Sequence, residues 1–268
     1  MVEHSADIRT VVGSSPTFST MKKEFIKMLP DKNICLLGLQ GSRGQGLQER
    51  KDADYDYRGI WIADNEEMLS LSKPKETIEI NSGAGDGDAE FVFHEVEKFF
   101  RLAIKGNPSV ILLFFVPKYD IKTNEGDMII KNKNLFLSDK AIRNAFGGYA
   151  MSQILYIKRK GKAQQGKKIS KHLKHCFRLL DQGQELLETG KVTMPIKNPE
   201  KYFKISKERN IDKLFKMFEE RDKEFRNCKS ILPDSPDIYM ANKLLLKIRG
   251  IEHSSRGVNN FMKDCVKD

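Results

Sequence analysis

The chain has 268 residues, 31% of them charged and 39% hydrophobic, with 47 Lys and Arg against 37 Asp and Glu, a net charge of +10 and a pI near 9.3. Sixteen phenylalanines supply apolar surface for a core, which excludes disorder throughout, and the length suits one large domain or two small ones. The basic balance favours anionic partners, whether nucleotides, nucleic acid or acidic lipid, without choosing among them.

The four cysteines, Cys35, Cys176, Cys228 and Cys265, contain no C-x-x-C pair. That excludes a zinc ribbon and a dense disulfide framework, and reduced thiols in a cytoplasm are expected. Residues 1–20 hold no long apolar core, so no secretory signal is expected. The longest apolar run, 110–116, is too short to cross a bilayer, so no membrane partner is expected either.

In chain order, residues 1–17 are a polar lead-in, and 18–29 predict a helix with Met21, Phe25, Ile26 and Leu29 on one stripe, stopped by Pro30. Residues 33–39 (NICLLGL) predict a buried strand, broken by the three glycines of 41–46. A second strand is expected over 55–63, and two shorter ones over 77–80 and 90–94, with a turn or mobile loop over 81–88 between them. The period becomes helical over 96–105 and ends at Gly106-Asn107-Pro108, with Ser109 placed to cap the next segment. The remainder predicts helices over 139–159, 167–188, 206–229 and 237–249. The expected architecture is α+β: a mixed-sheet domain over 1–135 and a helical domain over 136–268.

The stretch richest in chemistry is 38–62, GLQGSRGQGLQERKDADYDYRGIWI. An apolar strand runs into Gly41-Ser42, a polar loop follows, and then come Asp54 and Asp56 at strand spacing. Residues i and i+2 of a strand share a face, so the two carboxylates project side by side and repel. A divalent cation removes that conflict, and Mg²⁺ takes a few carboxylates while keeping other positions for water and phosphate. Gly41-Ser42 lets backbone N–H groups and a hydroxyl approach a phosphate closely. Asp52 and Asp54 form an alternative pair, disfavoured because Lys51 stands where an apolar neighbour is expected. The glycines fit neither a Rossmann fingerprint nor a P-loop.

Gly41-Ser42 followed by Asp54 and Asp56 resembles the nucleotidyltransferase superfamily that includes DNA polymerase β. The pieces GSRGQGL, DADYDYRGIWI, HEVEKFFRLAIKGNPSVILLFF and SKHLKHCFRLLDQGQELLETGKV are similar to the branch of predicted bacterial and phage nucleotidyltransferases. The resemblance touches most of 35–195, and 200–268 match nothing by motif. It implies Mg²⁺-dependent transfer of a nucleoside monophosphate from a nucleoside triphosphate to an acceptor hydroxyl, with Mn²⁺ able to replace Mg²⁺. The acceptor is an RNA end, a protein or a small molecule. It also implies a third carboxylate, which falls on Glu90, with Asp88 as the alternative. Asp54, Asp56 and Glu90 are then the catalytic, metal-holding residues, and Gly41, Ser42 and Arg43 hold phosphates.

On the predicted helix over 167–188, Ile169, Leu173, Cys176, Phe177 and Leu180 form an apolar face, and Lys168, Lys171, His175 and Arg178 cluster opposite. The branch's Lys-His-x-x-His-x-x-Arg run assigns Lys171, His175 and Arg178 to the nucleotide; by composition alone they read as a solvated face. His172 and His175 lack a third ligand for a metal. The basic run 158–168 is a candidate contact for RNA. Phe99, Phe100, Phe114, Phe115 and Trp61 read as core. The alternative function is a non-catalytic nucleotide- or RNA-binding protein that keeps the fold. A modifier of another protein is a third.

Overall fold

The computed structural model describes residues 32–49, 53–81, 88–160 and 167–251. The predicted helix over 18–29 and most of the loop over 81–88 lie outside the described residues. The fold is α+β. The described chain divides into two compact units, one running to Val96 and taking in Val116–Ile130, the other formed by Glu97–Phe115 and the residues from Lys131 onward. A single break near 135 therefore does not describe the grouping, because residues 97–115 belong with the helices. Among the described residues no helix is long and apolar enough to cross a membrane.

The first unit is built on five strands: β1 (Asn33–Leu39), β2 (Tyr55–Ile62), β3 (Thr77–Asn81), β4 (Ala89–Glu95) and β5 (Tyr119–Lys122). Their order in the sheet is β3-β4-β2-β1-β5. β2 and β4 run parallel and the other pairs antiparallel. β4 alternates buried and half-buried residues, the signature of a strand with one face in the core. Tyr57, Trp61, Phe91 and Phe93 line that face with Leu37. The rings of Tyr57 and Phe91 stack at 4.9 Å. Trp61 is 1% exposed, as its strand position predicts.

Several elements of this unit were not legible in the sequence. The glycine-rich break after β1 closes into a single helical turn, α1 (Gly41–Gly44). A short helix, α2 (Asn65–Leu69), follows β2. The edge strand β5 has no fully buried residue, so no apolar run announces it.

The second unit begins with α3 (Val96–Ile104) and α4 (Pro108–Leu113). Phe99 and Phe100 of α3 pack edge-on against Phe114 and Phe136. Phe115 departs from the expected core position and is only partly buried. The α4 cap is Asn107, whose side chain accepts from the N–H of Ser109 and Val110, rather than Ser109 itself. Pro108 at the first helical position selects that register, since its missing N–H costs nothing there.

After α5 (Asn124–Lys131), which groups almost entirely with the sheet, and a 3₁₀ turn (Lys133–Phe136) come α6 (Asp139–Lys160) and α7 (Lys167–Thr189). These two long helices pack on each other, with the Cys176 thiol against the Ala150 carbonyl and the His172 ring on Tyr156. A helix that the sequence did not announce, α8 (Pro199–Ser206), precedes α9 (Ile211–Asn227), which answers to the predicted helix over 206–229 but starts five residues later. Pro199 opens the first, and the Asn210 side chain caps the second by accepting from the Lys213 N–H. α10 (Ile238–Ile248) ends the described chain, with Asp237 capping it through the Met240 N–H.

Candidate active site

β1 delivers the chain into α1, and β2 returns beside it. The two are locked by the Gln40 N–H donating to the Asp56 carbonyl at 2.7 Å. Gly41 takes a left-handed φ of +56°. A Cβ at that position would fall on the Asp56 carboxylate. Only glycine therefore permits both the turn and the approach of this carboxyl group. Gly41 and Asp56, fifteen positions apart in the sequence, are brought into contact by the strand pairing.

Within α1, the Gly44 N–H donates to Gln40 and the Gln45 N–H to Gly41. The first N–H groups of any helical turn have no acceptor inside it, and here they belong to Gly41, Ser42 and Arg43, all partly exposed. Arg43 lies over the Tyr55 ring at 4.0 Å, and its Nε donates to the Ala53 carbonyl at 2.6 Å. That contact ties the turn to the chain just before β2. Arg43 thus shapes the loop as well as presenting charge.

Asp54 is exposed and Asp56 partly exposed. On the parallel partner strand, Glu90 stands in register with Asp56. Laterally paired residues share a sheet face, so these two carboxylates lie side by side. Asp88 lies just before β4, as Asp54 lies just before β2, and its carbonyl accepts the Tyr55 N–H at 2.7 Å. Sequence reasoning missed Arg58. Two residues beyond Asp56 on the same face, it donates from Nη2 to Glu90 Oε1 at 2.9 Å. The period-two spacing from Asp56 was the available signal. Among the described residues no three His, Cys, Asp or Glu side chains group closely enough to hold a metal ion. Asp54 and Asp56 still offer the hard oxygen donors that a hydrated Mg²⁺ takes from protein, in a setting open to water and phosphate. Glu90 is committed to Arg58.

In the helical unit, Lys171 is exposed, but Arg178 is not on a solvated face: it is only 9% exposed. Its Nη1 donates to Gln182 at 2.8 Å and its Nη2 to His175 Nδ1 at 2.6 Å. Packing of α8 on α7, invisible to a helical wheel, buries it. Burial first, then the charges of Arg178, His172 and Lys171, hold the His175 ionisation down to about 3. His175 is therefore neutral near pH 7. Accepting at Nδ1 leaves its Nε2 carrying the proton as a donor. Burial lowers Arg178 to about 10, so it keeps its charge. Of these three residues, two are cationic and the third is a neutral hydrogen-bond donor.

A family model described as the RNA repair pathway DNA polymerase beta family matches residues 17–229. Among solved structures, the chain is similar to a nucleotidyltransferase-like protein from Exiguobacterium sibiricum 255-15, at 10% identity and a TM-score of 0.30, covering 87% of this chain and 73% of that one. No curated protein matches.

Proposed function

Because the chain belongs to the RNA repair pathway DNA polymerase beta family, we propose that it transfers a nucleoside monophosphate from a nucleoside triphosphate to an acceptor hydroxyl, with an RNA end as the acceptor and pyrophosphate as the product. The observation that carries this reading is the contact of the Asp56 carboxylate with Gly41, which joins the phosphate-cradling half of the motif to its acidic half.

Asp54 and Asp56 would hold Mg²⁺, or Mn²⁺ in its place. The bound ion would supply charge neutralisation at the triphosphate and acidify the attacking hydroxyl. The N–H groups at Gly41 and Ser42, with the Ser42 hydroxyl, donate to phosphate oxygens. Arg43 keeps that turn pinned to Ala53 and adds positive charge. Glu90 stands beside Asp56 to take the proton of the acceptor hydroxyl, or to ligate metal, once Arg58 exchanges it for another anion. Lys171 and Arg178 supply charge, and His175 a neutral donor, for phosphate binding on the helical unit.

The Arg58–Glu90 ion pair favours one second reading, a nucleotide- or RNA-binding protein that keeps the fold without turnover. The test is incubation with each α-³²P-labelled nucleoside triphosphate, Mg²⁺ or Mn²⁺, and RNA or cell lysate, with Asp54→Asn/Asp56→Asn alongside. Label should enter RNA with the parent protein and be lost by at least about 100-fold in the variant. Label on a protein band would change the acceptor. Metal-dependent nucleotide binding without transfer would establish the binding-only reading, and binding of neither nucleotide nor RNA would overturn both.

A further inference from the structure

We propose that one end of the helical unit is a docking surface for single-stranded RNA, made by the C-terminal end of α6, the N-terminal end of α7, the C-terminal end of α8 and the N-terminal end of α9. This rests on the reading of RNA as acceptor and names the surface that would hold its strand.

Contacts between distant residues bring the four ends together. Lys158, near the end of α6, lies over the Phe215 ring at the start of α9 at 5.0 Å. Ser170, early in α7, donates to the Ser206 carbonyl at the end of α8 at 3.0 Å. Lys174 lies over the Phe203 ring at 5.4 Å. His172 bonds Gln153, joining α7 to α6.

The charge collected there is one-sided. Arg159, Lys204, Lys207 and Lys216 are exposed, and among the described residues none of them has an ion-pair partner. Lys158, Lys171 and Arg209 are exposed at the same end. Against these stand Glu208, which holds Lys213 at 2.6 Å, and Asp212 in the first turn of α9. The opposite end of the same helices spends part of its charge on the fold. There Arg143 holds Asp139 and donates to the carbonyls of Phe225, Arg226 and Cys228, and Arg226 holds Asp222. The two arginines at that end are held by the fold, although Lys140, Lys223 and Lys229 are exposed there; at the first end Arg159, Lys204, Lys207 and Lys216 face water.

A cluster of unpaired cations raises the free energy of the folded chain unless an anion neutralises it. A polyanion with evenly spaced phosphates does so and gains from counterion release. The aromatic rings fit the same occupant. Phe203 and Phe215 are half-buried and carry lysines on their faces, so they orient ammonium groups rather than offer an apolar wedge to insert into lipid.

The test is fluorescence anisotropy of a labelled, unstructured oligoribonucleotide with the full chain in EDTA and without nucleotide, from about 50 to about 200 mM salt. The variant is Arg159→Gln/Lys204→Gln/Lys207→Gln/Lys216→Gln, none of which is assigned to the acidic or nucleotide-binding site. Four lost phosphate contacts should lower the slope of log affinity against log salt by about 3, and weaken binding at low salt by at least about 10-fold. The matching Lys→Arg changes at 204, 207 and 216 should retain binding, which separates charge from folding.

No salt-dependent binding by the parent protein, or equal binding by the glutamine variant, would overturn the proposal. So would capture of phosphatidylserine vesicles, lost in the variant while RNA binding is kept. Because the assay contains neither metal nor nucleotide, RNA binding without any transfer would sink the catalytic reading alone. Transfer to a non-RNA acceptor without RNA binding would sink this surface together with RNA as the acceptor, and leave nucleotidyl transfer standing.

Discussion

At the scale of single residues, the decisive position is Gly41. Its backbone occupies the left-handed region, and the Asp56 carboxylate occupies the space a side chain would need. Alanine there suffers a left-handed penalty of about 1–2 kcal/mol and a collision that only displacement of Asp56 relieves. Gly41→Ala should lose transfer activity by at least about 100-fold while melting only a few degrees lower. Activity near the parent level would mean that Asp56 does not need its present place.

His175 gives a second residue-scale test. Its folded-state pKa of about 3 lies below the ordinary 6.5, so on acidification the unfolded chain takes the proton first. Stability should be full above about pH 6.5 and fall by about 1.4 kcal/mol per unit below it, towards the folded value. His175→Gln retains an acceptor for Arg178 and removes that slope. Urea unfolding at about pH 7 and about pH 5 reads the difference, and an identical acid loss in both proteins would refute the assignment.

At the scale of elements, local chemistry sets boundaries that periodicity cannot. The start of α4 is the clearest case. Ser109 is a good capping residue type, but Pro108 must occupy the first helical position, which moves the cap to Asn107. Asn107→Ala should cost about 1 kcal/mol in thermal or urea unfolding, whereas Ser109→Ala should be close to neutral. The reverse order would return the cap to Ser109. The same reasoning explains why the helix expected from 206 starts at Ile211. Its hydrophobic period reaches further back, but Asn210 offers its side chain to the Lys213 N–H and starts the helix. β1 and β2 were legible to within a residue because their apolar runs reflect burial at the middle of a sheet. β5, with no fully buried residue, carried no such signal.

At the scale of the whole molecule, the helical unit is joined by a polar centre as well as by its apolar core. Asp181 of α7 accepts from Arg221 of α9 and from Lys201 and Tyr202 of α8. Burial alone would push its carboxyl group up, but the hydrogen bonds from Lys201, Tyr202 and Arg221 outweigh that and hold it below the usual value of 3.8. That contribution is complete above the ordinary carboxylate range and is lost as pH falls through the folded value. Removing the guanidinium leaves a largely buried carboxylate with two of its three side-chain partners. Arg221→Met should destabilise the protein by about 3 kcal/mol, and adding Asp181→Asn should recover part of that loss in a double-mutant cycle. Strict additivity would show that the two residues do not act as a pair.

By itself the sequence determined the α+β order, the strand–turn–strand that carries Gly41, Ser42, Asp54 and Asp56, and the basic character of the chain. These follow from spacing and composition, which depend on neighbours a few positions apart. Only the tertiary structure decided that Arg58 holds Glu90, that Arg178 is buried beside a neutral His175, and that four helix ends gather unpaired cations. Each of these depends on residues that are distant in the chain or on packing from another helix. A helical wheel or a strand alternation states which way a side chain points, but not what stands there to bury it, pair with it or leave it open to water.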